Sequence, residues 1–307
     1  MSTGVDPHEV GGPATRVAKR VAEPLAVTSR GPLGRHGELQ ALFGFAERQL
    51  HVYKRYWVWE VVWLFYSLVS VLSIGFLASG LDSLGMSGPG FNLHRAQLYL
   101  LIGALLWGYL SLVFMEAAYA IAWERWEGTI EYTFMAPVRR VTHLLGICLF
   151  AIGYGLARTA VVMVVAIWMF GLDFSHADIL AAVAVLAAST VPLVGLGILT
   201  AVLPLLSPQK GEQMSIAVQG FLLLVSGVYY PLSVLPQPMQ VAGMLSPLTY
   251  ALAGIRASLL DASSVREQLP SIGILLAMGV VLIPVSVAVF SWAENRAKRL
   301  GLLKRSG

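Results

Sequence analysis

Long apolar runs, separated by short polar stretches, dominate the chain over residues 58–293. A helix needs about 20 apolar residues to cross the hydrocarbon core of a bilayer. The pattern therefore predicts an all-α integral membrane protein with six transmembrane helices. The predicted spans are Val58–Gly80, Leu98–Ala122, Leu144–Phe170, Ile179–Leu206, Met214–Tyr230, which is a little short, and Ser271–Ala293.

A different periodicity precedes the first span, over residues 38–57. Apolar side chains recur there at spacings of three and four from Leu39 to Trp57, and charged side chains fill the other faces. This spacing predicts an amphipathic helix along the cytoplasmic interface, either as a general anchor or as a lever against a cytoplasmic partner. Residues 1–37 predict a disordered cytoplasmic tail, and residues 294–307 predict a basic cytoplasmic tail.

Lysine and arginine are distributed unevenly between the two sides of this topology. With both termini inside, the inner segments hold 17 of them, and the outer loops hold Arg95, Arg256 and Arg266. This bias predicts cytoplasmic termini and a multi-pass protein of the inner (plasma) membrane. Only 12% of the residues are charged, too few to cover a soluble surface. The basic residues lie where an anionic membrane face is expected, so no nucleic-acid partner is predicted.

The predicted inner loop, Trp123–His143, is dense in charge but also carries large apolar side chains. Glu124, Glu127 and Glu131 are spaced i, i+3 and i+7, which predicts one acidic helical face toward the cytosol. Gly128 predicts a turn, and Pro137 ends the segment. The segment is either a short helix that receives a soluble partner or a solvated loop.

The predicted outer loop, Tyr229–Leu260, is strongly apolar. Its prolines, among them Pro236 and Pro247, divide it into pieces of about ten residues, too short to span the bilayer. Two short helices that enter the membrane and return fit this pattern, provided that protein encloses them. Tyr229 and Tyr230 are read as interfacial anchors, or as a stacking surface for a planar substrate.

Two charged residues, Glu116 and Arg158, lie within predicted spans. A charge at that depth usually faces the bundle interior or a wet cavity. A Glu116–Arg158 pair is one interpretation, although their predicted depths differ by about 10 Å. A structural role for Arg158 is favoured over substrate contact. No metal-ligand spacing and no nucleophile–base set is visible, so neither a metal site nor a catalytic site is predicted.

The inner segment and, after it, the outer segment resemble segments that occur in the same order in permease subunits of the ABC transporter type-2 exporter family. In the inner segment WERWEGTIEYTFMAPVRR the matching residues are Glu124, Arg125, Gly128, Thr129, Ile130, Glu131, Pro137 and Arg139, and Glu127 is predicted to join them in coupling to the ATPase. In the outer segment they are Pro231, Leu235, Pro236, Pro247, Leu248, Thr249 and Arg256. The resemblance extends over most of the chain from Glu38 onward.

The resemblance implies the membrane half of an ATP-driven exporter. Two permeases, identical or related, would join two ATP-binding-cassette ATPases, with the inner segment as the coupling helix and the outer one, including Tyr229 and Tyr230, as a re-entrant gate. The sequence has no G-x-x-x-x-G-K-[ST] loop, so this chain is expected not to be an enzyme by itself and to hold no cofactor, ATP and Mg lying on the partner subunit.

The identity of the substrate is not encoded in a recognisable motif. The resemblance favours an amphiphile, such as a drug, a lipid or a lipid-linked glycan. The alternative functions are a secondary transporter or channel that works without ATP, and an intramembrane enzyme. The first should show a repeat or a polar stripe, and the second should show paired catalytic residues at one depth.

Overall fold

The computed structural model describes residues 34–80 and 93–302, which form helices and turns without any strand. Almost all of the predicted tail over residues 1–37 lies outside these described residues. The α-helices of the described chain are α1 (Arg35–Arg55), α2 (Trp57–Gly80), α3 (Leu93–Trp126), α4 (Ile130–Met135), α5 (Arg140–Phe170), α6 (Ile179–Thr200), α7 (Val202–Leu206), α8 (Gly211–Val225), α9 (Gln237–Met244), α10 (Pro247–Leu260) and α11 (Leu269–Arg299).

Five helical segments of the described chain are long and apolar enough to cross a membrane. They are α2, most of α3, α5, the continuous pair α6–α7, and α11. The chain is therefore a multi-pass membrane protein. The predicted span Met214–Tyr230 corresponds to α8, which has 15 residues and ends at Val225. At 1.5 Å per residue α8 is about 22 Å long, shorter than the hydrocarbon core of about 30 Å.

Helix α3 forms the centre of the bundle. It packs against α2, α5 and α6, and α6 in turn packs against α10 and α11. The outer helices α2 and α11 expose large apolar side chains such as Phe65 and Val280. Apolar surface of this extent marks the region that contacts lipid.

Helix α1 lies along the first half of α5. A Cβ atom at Gly146 of α5 would lie 2.6 Å from the carbonyl oxygen of Leu42 and 2.8 Å from Cβ of Phe45. The glycine therefore permits the close contact between the two helices. At the other end of the chain, α11 continues to Arg299. Residues 294–299, predicted as part of a tail, are thus helical.

Candidate functional site

A sharp turn connects α3 with the short helix α4. Gly128 has a φ of 73°, the left-handed conformation that glycine adopts readily. The amide of Thr129 donates to the carbonyl oxygen of Glu124 at 2.8 Å, and the amide of Gly128 donates to that of Arg125 at 3.2 Å. These two bonds form a Schellman motif, which ends α3 and redirects the chain.

Helix α4 presents two different faces. Ile130, Thr133 and Phe134 are buried, whereas Glu131, Tyr132 and Met135 are exposed. The exposed fractions of Tyr132 and Met135 are 73% and 71%. A six-residue helix is too short to be stable alone, so tertiary contacts must hold α4 in place.

Arg140, at the start of α5, supplies those contacts. Its guanidinium donates to the carbonyl oxygens of Thr133 and Phe134 and lies 4.7 Å from the centre of the Phe134 ring. Its Nε also bonds to Glu294 of α11 at 3.2 Å. The last carbonyls of a helix have no partner within the helix. Arg140 therefore caps α4 and ties it to both α5 and α11.

The predicted acidic face is wrong, because α3 ends at Trp126 and Glu124 does not share a helix with Glu131. Glu124 is fully buried, bonded to Arg48 of α1 and to Nε2 of His143 at 3.0 Å. It joins α1, α3 and α5 in the interior. Of the three glutamates, only Glu127 and Glu131 reach the surface.

Arg125 is also internal, although the sequence analysis placed it in the predicted coupling helix. Its guanidinium donates to the carbonyl oxygen of Leu205 at 3.0 Å and to that of Leu302. These oxygens lie at the end of α7 and just after α11. Thr129 and Pro137 flank α4, and Arg139 is exposed immediately before α5. The docking role of all these residues stays a prediction.

Polar contacts inside the bundle fix α1 against the spans. Glu116 of α3 accepts hydrogen bonds from Tyr53, at 2.9 and 3.0 Å, and from Nε2 of Gln49 at 3.2 Å. Burial and the nearby Glu116 carboxylate raise the pKa of Tyr53, which keeps its hydroxyl protonated as a donor. Glu38 of α1 accepts from the hydroxyl of Thr142, in the first turn of α5. A carboxylate there is favoured by the helix dipole.

Glu116 and Arg158 bind different partners. Nη2 of Arg158 donates to the carbonyl oxygen of Trp63 and to Oγ of Ser67, both at 2.6 Å. These bonds tie α5 to α2, and they give Arg158 a structural contact. The Glu116–Arg158 pair considered in the sequence analysis is therefore not formed in the structure.

At the opposite end of the bundle, a helical hairpin follows α8. After Tyr229, Tyr230 and Pro231 comes a single 3₁₀ turn, Leu232–Val234, and then α9 and α10. Pro236 precedes α9, and Pro247 occupies the first turn of α10. Oγ1 of Thr249 donates to the carbonyl oxygen of Gly243 at 2.7 Å, which joins the two helices.

Arg256 of α10 stabilises the turn that follows α8. The guanidinium donates to the carbonyl oxygens of Gly227, at 2.8 Å, and Val228. It also lies 3.6 Å from the centre of the Tyr99 ring. A Cβ atom at Gly103 of α3 would lie 2.2 Å from the Val228 oxygen and 2.3 Å from the guanidinium. Glycine at this position therefore makes room for the contact.

The residues that hold α4 and the end of α3 in place were not identified from the sequence. Arg48, Arg140 and His143 lie in polar stretches, and nothing in their spacing separates them from neighbours such as Arg139. Their partners Glu124 and Glu294 are 76 and 154 residues distant in sequence. Only the packing of the helices brings these groups together.

The fold and this arrangement define a class of protein: an all-helical, multi-pass membrane protein with a partly exposed short helix at one end and a helical hairpin at the other. The model of the ABC-2 type transporter family matches residues 40–260, most of the chain. The chain belongs to this family and is an ABC transporter permease, as its resemblance predicted. No curated protein matches it.

Proposed function

We propose that this chain is the membrane-spanning permease subunit of an ATP-driven exporter. Two such permeases, identical or related, would assemble with two ATP-binding-cassette ATPases that bind ATP and Mg²⁺. The observation that carries the proposal is the exposed face of α4, because this face is mechanically connected to the spans. A force applied there would reach α3 through the turn at Gly128, and α5 and α11 through Arg140.

The chemistry of that face suits a protein partner. Glu127 and Glu131 contribute negative charge, and Tyr132 and Met135 contribute apolar area. Interfaces combine such a buried apolar centre with a polar rim. Helix α1 would lie beside the docking site, and its contacts with α3 and α5 would transmit movement of the partner to the same spans.

Six spans with both termini in the cytoplasm agree best with the charges. In this topology α8 is the fifth span, and its 15 residues cover only part of the bilayer. The loop Ser226–Pro231 and the hairpin complete the crossing, and Arg256 satisfies the carbonyl oxygens of Gly227 and Val228 that would otherwise be unpaired at that depth. The excess of basic residues then lies inside, as in a plasma-membrane protein.

The hairpin α9–α10 is the proposed exit gate. Its helix α9 packs against α8, and its helix α10 packs against α3, α6 and α11. An amphiphilic substrate, such as a drug, a lipid or a lipid-linked glycan, suits a pathway between apolar spans. The alternative is an ATP-independent transporter or channel, for which α4 would have no ATPase to bind.

Recovery of the ATPase with the permease tests the proposal. The full chain is co-expressed with a candidate ATP-binding-cassette ATPase from the same organism and purified by a tag on the permease. Charge reversal, Glu131→Arg, should reduce the recovered ATPase about tenfold, which corresponds to about 1.4 kcal/mol of binding energy. The control is Glu267→Arg, an exposed glutamate at the opposite end of the bundle, which should leave recovery unchanged.

Two results would contradict the proposal. One is equal recovery of the ATPase with Glu131→Arg and with the unaltered chain. The other is transport by the purified chain alone, driven by an ion gradient in vesicles, which would favour the secondary transporter. The thermal unfolding temperature of each variant, measured without the ATPase, shows whether the spans remain folded.

A further inference from the structure

The last two turns of α11 carry a cluster that the transport proposal does not use. The side of α11 that faces the bundle is formed there by Ala293, Glu294 and Ala297, all of which are buried. The other side exposes a shallow, open surface cavity of about 230 Å³. It is lined by Trp292, Asn295, Arg296 and Arg299.

Arg296 and Arg299 do not take part in the ion pairs of Glu294. The carboxylate of Glu294 is already bound by Arg140 and by Nζ of Lys298 at 2.6 Å. Within residues 34–80 and 93–302, neither the Arg296 nor the Arg299 side chain has a hydrogen bond or an ion pair. Two positive charges on an exposed face thus remain available to a ligand.

The carbonyl groups at the end of α11 do not occupy these arginines either. The amide of Leu302 donates to the carbonyl oxygen of Ala297 at 3.0 Å, and that of Gly301 donates to the oxygen of Lys298 at 3.2 Å. With Gly301 at a φ of 65°, this is a Schellman motif that satisfies the terminal carbonyls. Arg125 adds a further donor to the oxygen of Leu302.

The cluster begins where the apolar part of α11 ends. Trp292 is exposed directly after the apolar run, in the position of an interfacial anchor. From Trp292 to Arg299 the helix rises by about 10 Å. The headgroup layer on each side of the hydrocarbon core is about 5–8 Å thick. Arg296, about 6 Å beyond Trp292, lies within this layer, and the long side chain of Arg299 can reach back to it. Both guanidiniums can therefore contact lipid phosphates if α11 spans the membrane.

We propose that Arg296 and Arg299, beside this cavity, bind the phosphate of an anionic phospholipid from the inner leaflet. Arg296 and Arg299 are three residues apart, on the same side of the helix. Each guanidinium offers the paired N–H groups that match phosphate oxygens. The amide of Asn295 can donate to headgroup hydroxyls, and Trp292 contacts the adjoining acyl chains. The site goes beyond the transport proposal and depends on it only for the cytoplasmic position of this end of α11.

Native mass spectrometry of the purified full chain tests this site. Phosphatidylglycerol or phosphatidylcholine is added to the detergent-solubilised protein, and the lipid retained per chain is counted. The unaltered chain should retain phosphatidylglycerol in preference to phosphatidylcholine. Arg296→Gln and Arg299→Gln should each weaken phosphatidylglycerol binding about fivefold, corresponding to about 1 kcal/mol per charge removed near an anionic lipid.

Arg266→Gln provides the matched control, because Arg266 is an exposed arginine just before the other end of α11. Its phosphatidylglycerol binding should equal that of the unaltered chain. Equal losses in Arg266→Gln and Arg296→Gln would overturn the site, since they would indicate general attraction to charge. Unchanged binding in the double variant Arg296→Gln, Arg299→Gln would overturn it as well.

A soluble competitor distinguishes a lipid from a free phosphate ester. Glycerol 1-phosphate, added at the concentration of the lipid, should not displace phosphatidylglycerol, because it lacks acyl chains to contact the apolar surface beside Trp292. Full displacement would show that the cavity takes a soluble phosphate and would refute the lipid assignment. The thermal unfolding temperature in detergent without added phospholipid should be the same for all variants.

Discussion

Arg140 keeps the short helix α4 formed, and replacing it with methionine tests that role. The arginine side chain is only 12% exposed and donates to the carbonyl oxygens of Thr133 and Phe134. Methionine retains much of the volume and the helical preference of arginine. The substitution therefore removes the charge and the hydrogen bonds while leaving the start of α5 helical.

The expected rise in the population of open α4 follows from these two hydrogen bonds. A hydrogen bond that involves a charged group contributes about 1.5 kcal/mol or more when it is shielded from water. Two such bonds therefore stabilise the closed form of α4 by about 3 kcal/mol. Since 1.4 kcal/mol corresponds to a factor of ten, the population of open α4 should rise about 100-fold.

Hydrogen exchange measured by mass spectrometry reports this opening. The amides of Thr133 and Ala136 are bonded within α4 and exchange only when the helix opens. In Arg140→Met, a peptide covering residues 129–137 should exchange about 100-fold faster than in the unaltered chain. Peptides from the centre of α3 should be unaffected.

The neighbouring residue provides the control for this experiment. Arg139 is exposed, and its bonds in the described chain are made by its backbone: the amide donates to Glu38 at 3.4 Å, and the carbonyl oxygen accepts from the amide of His143 at 3.2 Å. Arg139→Met removes an equal charge one residue away and should leave exchange in α4 unchanged. Equal exchange rates for the two variants would refute the reasoning, because α4 would then be held by its apolar face and not by Arg140.

Two further substitutions test how other helices are positioned, each by thermal or denaturant unfolding of the purified chain. Gly146→Ala places a methyl group against α1 and should lower stability by about 1–3 kcal/mol. Its control, Gly153→Ala, has open space around the new methyl group and should raise stability slightly. A gain in stability at both positions would contradict the close packing of α1. Arg256→Met leaves the carbonyl oxygens of Gly227 and Val228 without their donor and should lower the free energy of unfolding by about 3 kcal/mol. An equally small loss in Arg256→Met and Arg266→Met would contradict the capping role.

Much of the helical framework is predictable from hydrophobicity because lipid imposes a strict length on each span. The runs Val58–Gly80 and Ile179–Leu206 agree closely with helices of the structure. Helix α8 is harder, because the apolar residues continue past Val225 while the backbone turns at Gly227, where φ is 70°. Hydrophobicity does not reveal such a turn, since the donor that makes it stable, Arg256, is almost 30 residues further along the chain.

The polar contacts of the candidate site were much less predictable. Regular spacing suggested that Glu124 lay on an exposed face, but spacing indicates only which residues share a face if the helix continues. The left-handed Gly128 interrupts the helix, and Glu124 then points into the bundle toward Arg48 and His143. A single sequence also could not distinguish Arg139 from Arg140, because the difference depends on where α5 begins.

The capping of α8 by Arg256 has a consequence for how the protein is assembled during synthesis. The backbone at Gly227 and Val228 leaves the ribosome before the side chain that binds it. Until α10 has been made and has packed into the bundle, those two carbonyls need water or another temporary donor. Packing of the hairpin should therefore complete the folding of this half of the protein. A chain interrupted before Arg256 should be recognised by membrane quality control as incomplete.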